Sequence, residues 1–203
     1  MLFRSKIAIW LALPLVLGAS LAYAHGPDGD APALAQGVQL GKAMFPDGNT
    51  AQGGHGQAID GIEGSSQEML KTHIHMHLSI YYHGQQIAVP RGIGILPPFQ
   101  VRNGFVEGGR GFYWLHTHDA TGIVHVESPN DRVYTLGNFF DVWGRPLSET
   151  NVAGLQGPVR IYLNGRLQFG KARDMPLHAH DQIALVIGQP TVTPPQYVFP
   201  DGL

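Results

Sequence analysis

Histidine is the residue through which this chain can do chemistry. There are eleven among 203 residues, and most recur in the pattern H-x-H. His73, His75 and His77 lie in KTHIHMHLSIYY, His116 and His118 in YWLHTHDATGIVHVESP, and His178 and His180 in LHAHDQIALVIG. Residues i and i+2 of a strand share a face, so each H-x-H sets two imidazoles side by side. His125 and Glu127 repeat the spacing with a carboxylate as the second member. Between them and His118, Asp119-Ala120-Thr121-Gly122 reads as a turn, because Asp bonds its own backbone and Gly accepts positive φ. That turn folds Tyr113–Pro129 back on itself and brings His116, His118, His125 and Glu127 together. Neutral imidazole nitrogens with carboxylate help are ligands for a divalent transition metal, copper or zinc foremost. The predicted ligands are His75, His77, His116, His118, His125 and His180. Asp119 and Glu127 are predicted to hold imidazole N–H groups from behind, though each is equally readable as a ligand or a solvated acid. His73 shares the face of His75 and His77 with its role open, and His83 reads as a turn residue.

The chain has no cysteine. That removes blue-copper centres, iron–sulfur clusters and covalently attached haem, all of which need thiolates. The five methionines are not clustered, which speaks against a thioether site for Cu(I).

The elements that must carry these residues are mostly strands. Lys71–Tyr82 alternates strictly: His73, His75, His77, Ser79 and Tyr81 on one face, and Ile74, Met76, Leu78, Ile80 and Tyr82 on the other. This is the pattern of a half-buried strand. His83-Gly84 turns it into a return strand at Gln86–Val89. Gly157–Phe169 reads as strand, Asn164-Gly165 turn, strand, and Ile183, Leu185 and Ile187 alternate in a last strand. Val101–Gly111, rich in glycine, reads as a loop. One helix is predicted over Leu136–Trp143, where Leu136, Phe139, Phe140 and Trp143 form an apolar stripe. Thr135 is placed to N-cap it and Gly144 to end it. The fold class expected is α+β, β-rich: an antiparallel sheet with one packed helix, β-grasp-like, with a β-sandwich as the alternative.

Residues 1–24 read as a signal peptide, with Arg4 and Lys6 before an apolar run and a small-x-small cleavage site at Ala22-Tyr23-Ala24. The mature chain is then expected to begin at His25 and to be periplasmic or secreted, with no later integral membrane segment. A free α-amine beside the His25 imidazole is also a chelating pair. Residues 25–67, rich in Gly, Pro, Ala and Asp, read as a flexible arm, and 68–203 as a single β-rich domain. A formal net charge of −2 gives no basic patch, so no nucleic-acid partner is expected.

The run of motifs from HxHL, through GIGI, LHTHDATGIVHVESP, TLGNFFDVWG and VRIYLNG, to IALVIG and FPDGL resembles a family of exported bacterial proteins with an HTHDxxGxxHxESP signature. The likeness spans Thr72 to the C-terminus. It implies one exported domain with a recurring histidine set, here His75, His77, His116, His118, Asp119, His125, Glu127 and His180, and no activity to carry over. Members often carry cysteine, which this chain lacks. The LHTHDATGIVHVE segment is also weakly similar to the H-x-H metal strands of cupredoxins, without their cysteine.

These features point to an exported metal-binding protein that carries, sequesters or is structured by copper or zinc, with the metal ion as its only identified partner. One alternative is a small metal-dependent enzyme with a three-His site, in which Glu127 or Asp119 acts as general base. Another is an interaction domain whose histidines are structural. Of enzyme and binder, the sequence leans to the binder, because nothing in it defines a substrate pocket.

Overall fold

The computed structural model describes residues 31–203. The leader 1–24 and His25 lie outside the described residues.

Among the described residues the chain is β-rich with one α-helix, as the alternation and the apolar stripe predict. Seven strands form the main sheet: β1 (Thr72–Tyr82), β2 (Gln85–Ile87), β3 (Leu115–His116), β4 (Ile123–Ser128), β5 (Val159–Leu163), β6 (Arg166–Gln168) and β7 (Gln182–Ile187). Their order is β6-β5-β7-β1-β4-β3, with β2 also on β1. The long β1 is the axis. One edge pairs antiparallel with β4 over Thr72–His77, then with β2 over Ile80–Tyr82. The other edge pairs with β7, and here the sheet departs from the all-antiparallel expectation, because β7 runs parallel to β1. Almost a hundred residues separate the two strands in sequence, so chain length does not force the return direction. The sheet is therefore mixed.

The Asn164-Gly165 and His83-Gly84 turns form where their residues predict. Leu163 pairs with Arg166 and Tyr82 with Gln85, and both central residues of each turn have positive φ, as two-residue hairpins require. A further hairpin replaces the loop that glycine content predicts over Val101–Gly111. Gln100–Arg102 pairs with Phe105–Gly108 around Asn103-Gly104, the same turn chemistry amid glycines that masked it.

Helix α1 (Leu136–Trp143) has the predicted bounds. The Thr135 hydroxyl accepts from the Asn138 N–H, and the Asn138 side chain accepts from the Thr135 N–H at 3.0 Å. This reciprocal cap satisfies two otherwise orphaned donors. Gly144 ends the helix in the left-handed conformation and donates to Phe140 O. Leu136, Phe139, Phe140 and Trp143 are fully buried against Met76, Leu78, Ile80, Val124 and Val126. The apolar face of β1 thus meets the helix stripe, which is the main core.

The other face of β1 is not the solvated face that alternation suggests. His75, His77, Ser79 and Tyr81 are all buried. The C-terminal tail covers part of this face. Tyr197 packs on His77 with ring centroids 4.5 Å apart, held by a two-way bond between its backbone and the Gln182 side chain.

Residues 31–67 carry little regular structure, as their composition suggests, yet they are tied to the domain. Gln39 bridges to Ala120 and Lys42 to Ile87, and Ile62 is fully buried in the main core. Glycine permits this docking at Gly54, where a Cβ would lie 2.4 Å from the Tyr113 ring.

Candidate metal centre

The site is built on strand register. His75 pairs directly with His125 across β1 and β4, and His125 pairs with His116 across β4 and β3. One rung of the sheet therefore carries three imidazoles. On the next rung along, His73 faces Glu127. Direct cross-strand partners have Cβ atoms about 5 Å apart, so these side chains meet without any loop having to deliver them. His75 and His125 ring centroids are 4.5 Å apart, and His116 stacks on His125 at 5.2 Å.

His118 enters from the Thr117–Gly122 connection just beyond β3. The shape of that connection depends on Asp119. One carboxylate oxygen accepts from the Thr121 N–H at 3.0 Å and from the Thr121 hydroxyl, and the other accepts from the Gly37 N–H at 2.7 Å. Asp119 is buried and spent on the backbone, where it fixes the turn and anchors the segment before it. Gly122 completes the turn at φ +93, with a Cβ position only 2.3 Å from Leu78 O. No other residue fits there without moving β1.

The His116 and His118 rings are oriented from behind. His116 Nδ1 donates to Tyr113 O at 2.9 Å, and His118 Nδ1 donates to Val106 O at 2.6 Å. A carbonyl only accepts, so Nδ1 carries the proton on both rings and Nε2 of each is a bare lone pair. Yet those two Nε2 atoms lie 3.1 Å apart. Two acceptors at this distance with no proton between them repel each other, and a cation between them resolves the conflict. On the other side of the row, His73 Nε2 and His75 Nε2 also lie 3.1 Å apart.

Glu127 joins the two pairs. Its Oε1 lies 3.3 Å from His73 Nε2, 3.3 Å from His125 Nδ1 and 3.9 Å from His116 Nε2. Among the described residues its Oε2 is buried with no hydrogen-bond partner, a cost of a few kcal/mol for a charged oxygen. Burial, with the Glu68 carboxylate adding to it, pushes Glu127 up to about 7. Burial likewise lowers His75 to about 4 and His116 to about 3, with His73 and His118 respectively as the next causes. It also lowers His118, and lowers His125 well below the ordinary imidazole value. At neutral pH His75, His116, His118 and His125 are therefore uncharged, and the contacts of His116 and His125 with Glu127 are not ion pairs.

These side chains form two overlapping sets, His73, His75, His125 and Glu127, and His116, His118, His125 and Glu127. Within each set the ligand atoms lie within 4.8 Å of one another, and each could hold a metal ion. Of the predicted ligands, the structure brings together His75, His116, His118 and His125, with Glu127 inside the cluster. It leaves the rings of His77 and His180 out of both sets, although the His180 backbone N–H donates to His75 O at 2.7 Å. His77 Nε2 donates to Thr121 O at 2.9 Å beneath Tyr197. His180, exposed, donates through Nε2 to Leu203 O at 2.8 Å. Both nitrogens are used to pin the turn and the tail.

The cluster also contains residues that sequence reasoning left open or missed. His73 belongs to it. Glu68 reaches His118 Nε2 at 3.6 Å, and no motif around Glu68 marks it. Phe105, on the hairpin read as a loop, stacks on His118 with centroids 4.6 Å apart and planes within 2°. Among the described residues no helix is long and apolar enough to cross a membrane. Comparison of the chain with known protein families, curated proteins and solved structures finds no match.

Proposed function

We propose that this is an exported metal-binding protein whose buried histidine cluster holds copper or zinc. The observation that carries the reading is the His116–His118 pair: two lone-pair nitrogens, each fixed by a backbone carbonyl, facing each other at 3.1 Å. Orientation of the ligand ring through its other nitrogen is the usual support of a metal-bound imidazole. Imidazole and carboxylate donors without thiolate suit Zn²⁺ and Cu²⁺. Burial of His75, His116, His118, His125 and Glu127 favours holding an ion over turning over a substrate, since catalytic sites keep an open position. Export rests on the leader pattern of residues 1–24.

The test is metal analysis of untagged protein from the periplasmic fraction, with N-terminal sequencing of the same sample. The expected result is a start at His25 and at least one tightly held ion per chain, lost in the His75→Ala/His116→Ala double variant. Weak binding of many equivalents, unchanged in that variant, would sink the reading.

A further inference from the structure

We propose that the cluster is a two-metal centre, with an inner ion on His116 and His118, an outer ion on His73 and His75, and Glu127 between them. The inference rests on the metal-binding reading and specifies it.

The geometry favours two ions over one. Ligand atoms around a single tetrahedral ion, with bonds of 2.0–2.1 Å, lie about 3.4 Å apart and never more than about 4.2 Å. The two imidazole pairs each meet this spacing internally, at 3.1 Å. They meet it on opposite sides of His125, whose ring stands between His75 and His116 in the rung. The ligand atoms fall into two groups of four that share only His125 and Glu127.

Glu127 has the form of a bridge. Its Oε1 approaches Nε2 of His73 from one side and of His116 from the other, at 3.3 and 3.9 Å. Its buried Oε2 has no partner among the described residues. A carboxylate that served the inner ion alone would leave the outer pair, among the described residues, with no carboxylate in contact. Glu68, 3.6 Å from His118 Nε2, adds a second negative charge on the inner side, which offsets part of the charge of two divalent ions. The positions also differ in access. The His116 side chain is fully buried, whereas that of His73 is 43% exposed. The outer ion faces solvent and should exchange freely, while the inner ion is enclosed.

The test uses the full untagged chain, stripped with EDTA and reloaded with Zn²⁺ alone. Native mass spectrometry counts the ions, and a chromophoric chelator follows their release. Two Zn²⁺ per chain are expected, leaving in two phases that differ at least tenfold in rate. The His73→Gln/His75→Gln variant should keep one ion and lose only the fast phase. If that variant does not fold, His73→Gln alone, at the exposed rim, should speed the fast phase at least tenfold and leave the slow phase unchanged. Glu127→Gln should lose one of the two ions. A single tight Zn²⁺ in the wild type, or an outer variant that slows or loses both phases together, overturns the two-metal centre and leaves the metal-binding reading standing. No tight Zn²⁺ at all, with Cu²⁺ equally weak, overturns both.

Discussion

His75 and His125 are direct cross-strand partners, and His125 is in turn the partner of His116. The row of imidazoles is therefore a property of register. A slip of one residue between β1 and β4 would put His73 and His75 on the face opposite His125 and His116.

That relationship ranks the histidines. His125→Ala should weaken Zn²⁺ binding about 100-fold or more, because this residue is common to both candidate ligand sets and whichever ion it serves loses a donor. His180→Ala should stay within about twofold of wild type, since its ring is bonded to Leu203 O. Loss of an orienting partner typically costs 10–100-fold in affinity, so loss of a shared ligand should cost at least as much. Competition titration against a chelator of known affinity reads both. Equal losses in the two variants would contradict this placement of the site.

The metal-free protein should lose stability in acid. His75 and His77 are lowered from 6.5 to about 4, and His116 to about 3, by burial first in each case. Between those values and 6.5 the unfolded chain binds more protons than the folded one, so stability falls as pH drops through this window. For His77, which is almost wholly enclosed, the loss is on the order of 3 kcal/mol. Glu127 works in the opposite sense. Raised from 4.5 to about 7, it stabilises the fold below its unfolded value, and that contribution is lost as pH rises through 7. Three histidines outweigh one glutamate, so urea midpoints should fall between pH 6.5 and pH 4. Metal-free Glu127→Gln should have a higher midpoint than wild type at pH 8, where the wild-type carboxylate must be buried charged, and the difference should shrink towards pH 5.

Bound metal should raise thermal stability. A ligand at 100 times its dissociation constant adds about 2.7 kcal/mol, which for a domain of this size is a Tm increase of roughly 5–10 °C. Calorimetry with Zn²⁺, then with excess EDTA, should show the rise and its reversal. The same experiment on His75→Ala/His116→Ala should show neither.

Two substitutions away from the ligands separate fold from site. Trp143→Ala removes a fully buried ring from the helix stripe and should destabilise by about 3–5 kcal/mol, while folded protein keeps its Zn²⁺ stoichiometry. Gly122→Ala adds a Cβ at a position 2.3 Å from Leu78 O with φ at +93. It should destabilise by about 1–3 kcal/mol and also weaken Zn²⁺ binding, because the turn it strains carries His118. Denaturation midpoints and zinc titrations on the same samples compare the two.

Local chemistry made much of this molecule legible in the sequence. Period-two alternation marked Lys71–Tyr82 as a strand and put His73 and His75 on one face. The Leu136, Phe139, Phe140 and Trp143 stripe between Thr135 and Gly144 defined the helix to the residue, and Asn164-Gly165 marked its hairpin. Each of these signals lies within about ten residues of chain, where backbone geometry alone decides. Tertiary structure decided what depends on distant partners. The rung that joins His75, His125 and His116 is a matter of register between β1, β4 and β3. The parallel return of β7 follows a connection too long to dictate direction. The tail residue Tyr197 and the turn carbonyl of Thr121 take His77 out of the cluster, and Leu203 takes His180. Glu68 arrives from a segment with no motif at all. Residue type and alternation set which residues can be ligands and which faces they occupy, and the Asp119–Gly122 turn already brings His116, His118, His125 and Glu127 together. Only the pairing of segments far apart in the chain decided that His73, His75 and Glu68 join them and that His77 and His180 do not, because those contacts lie between segments whose register no local spacing records.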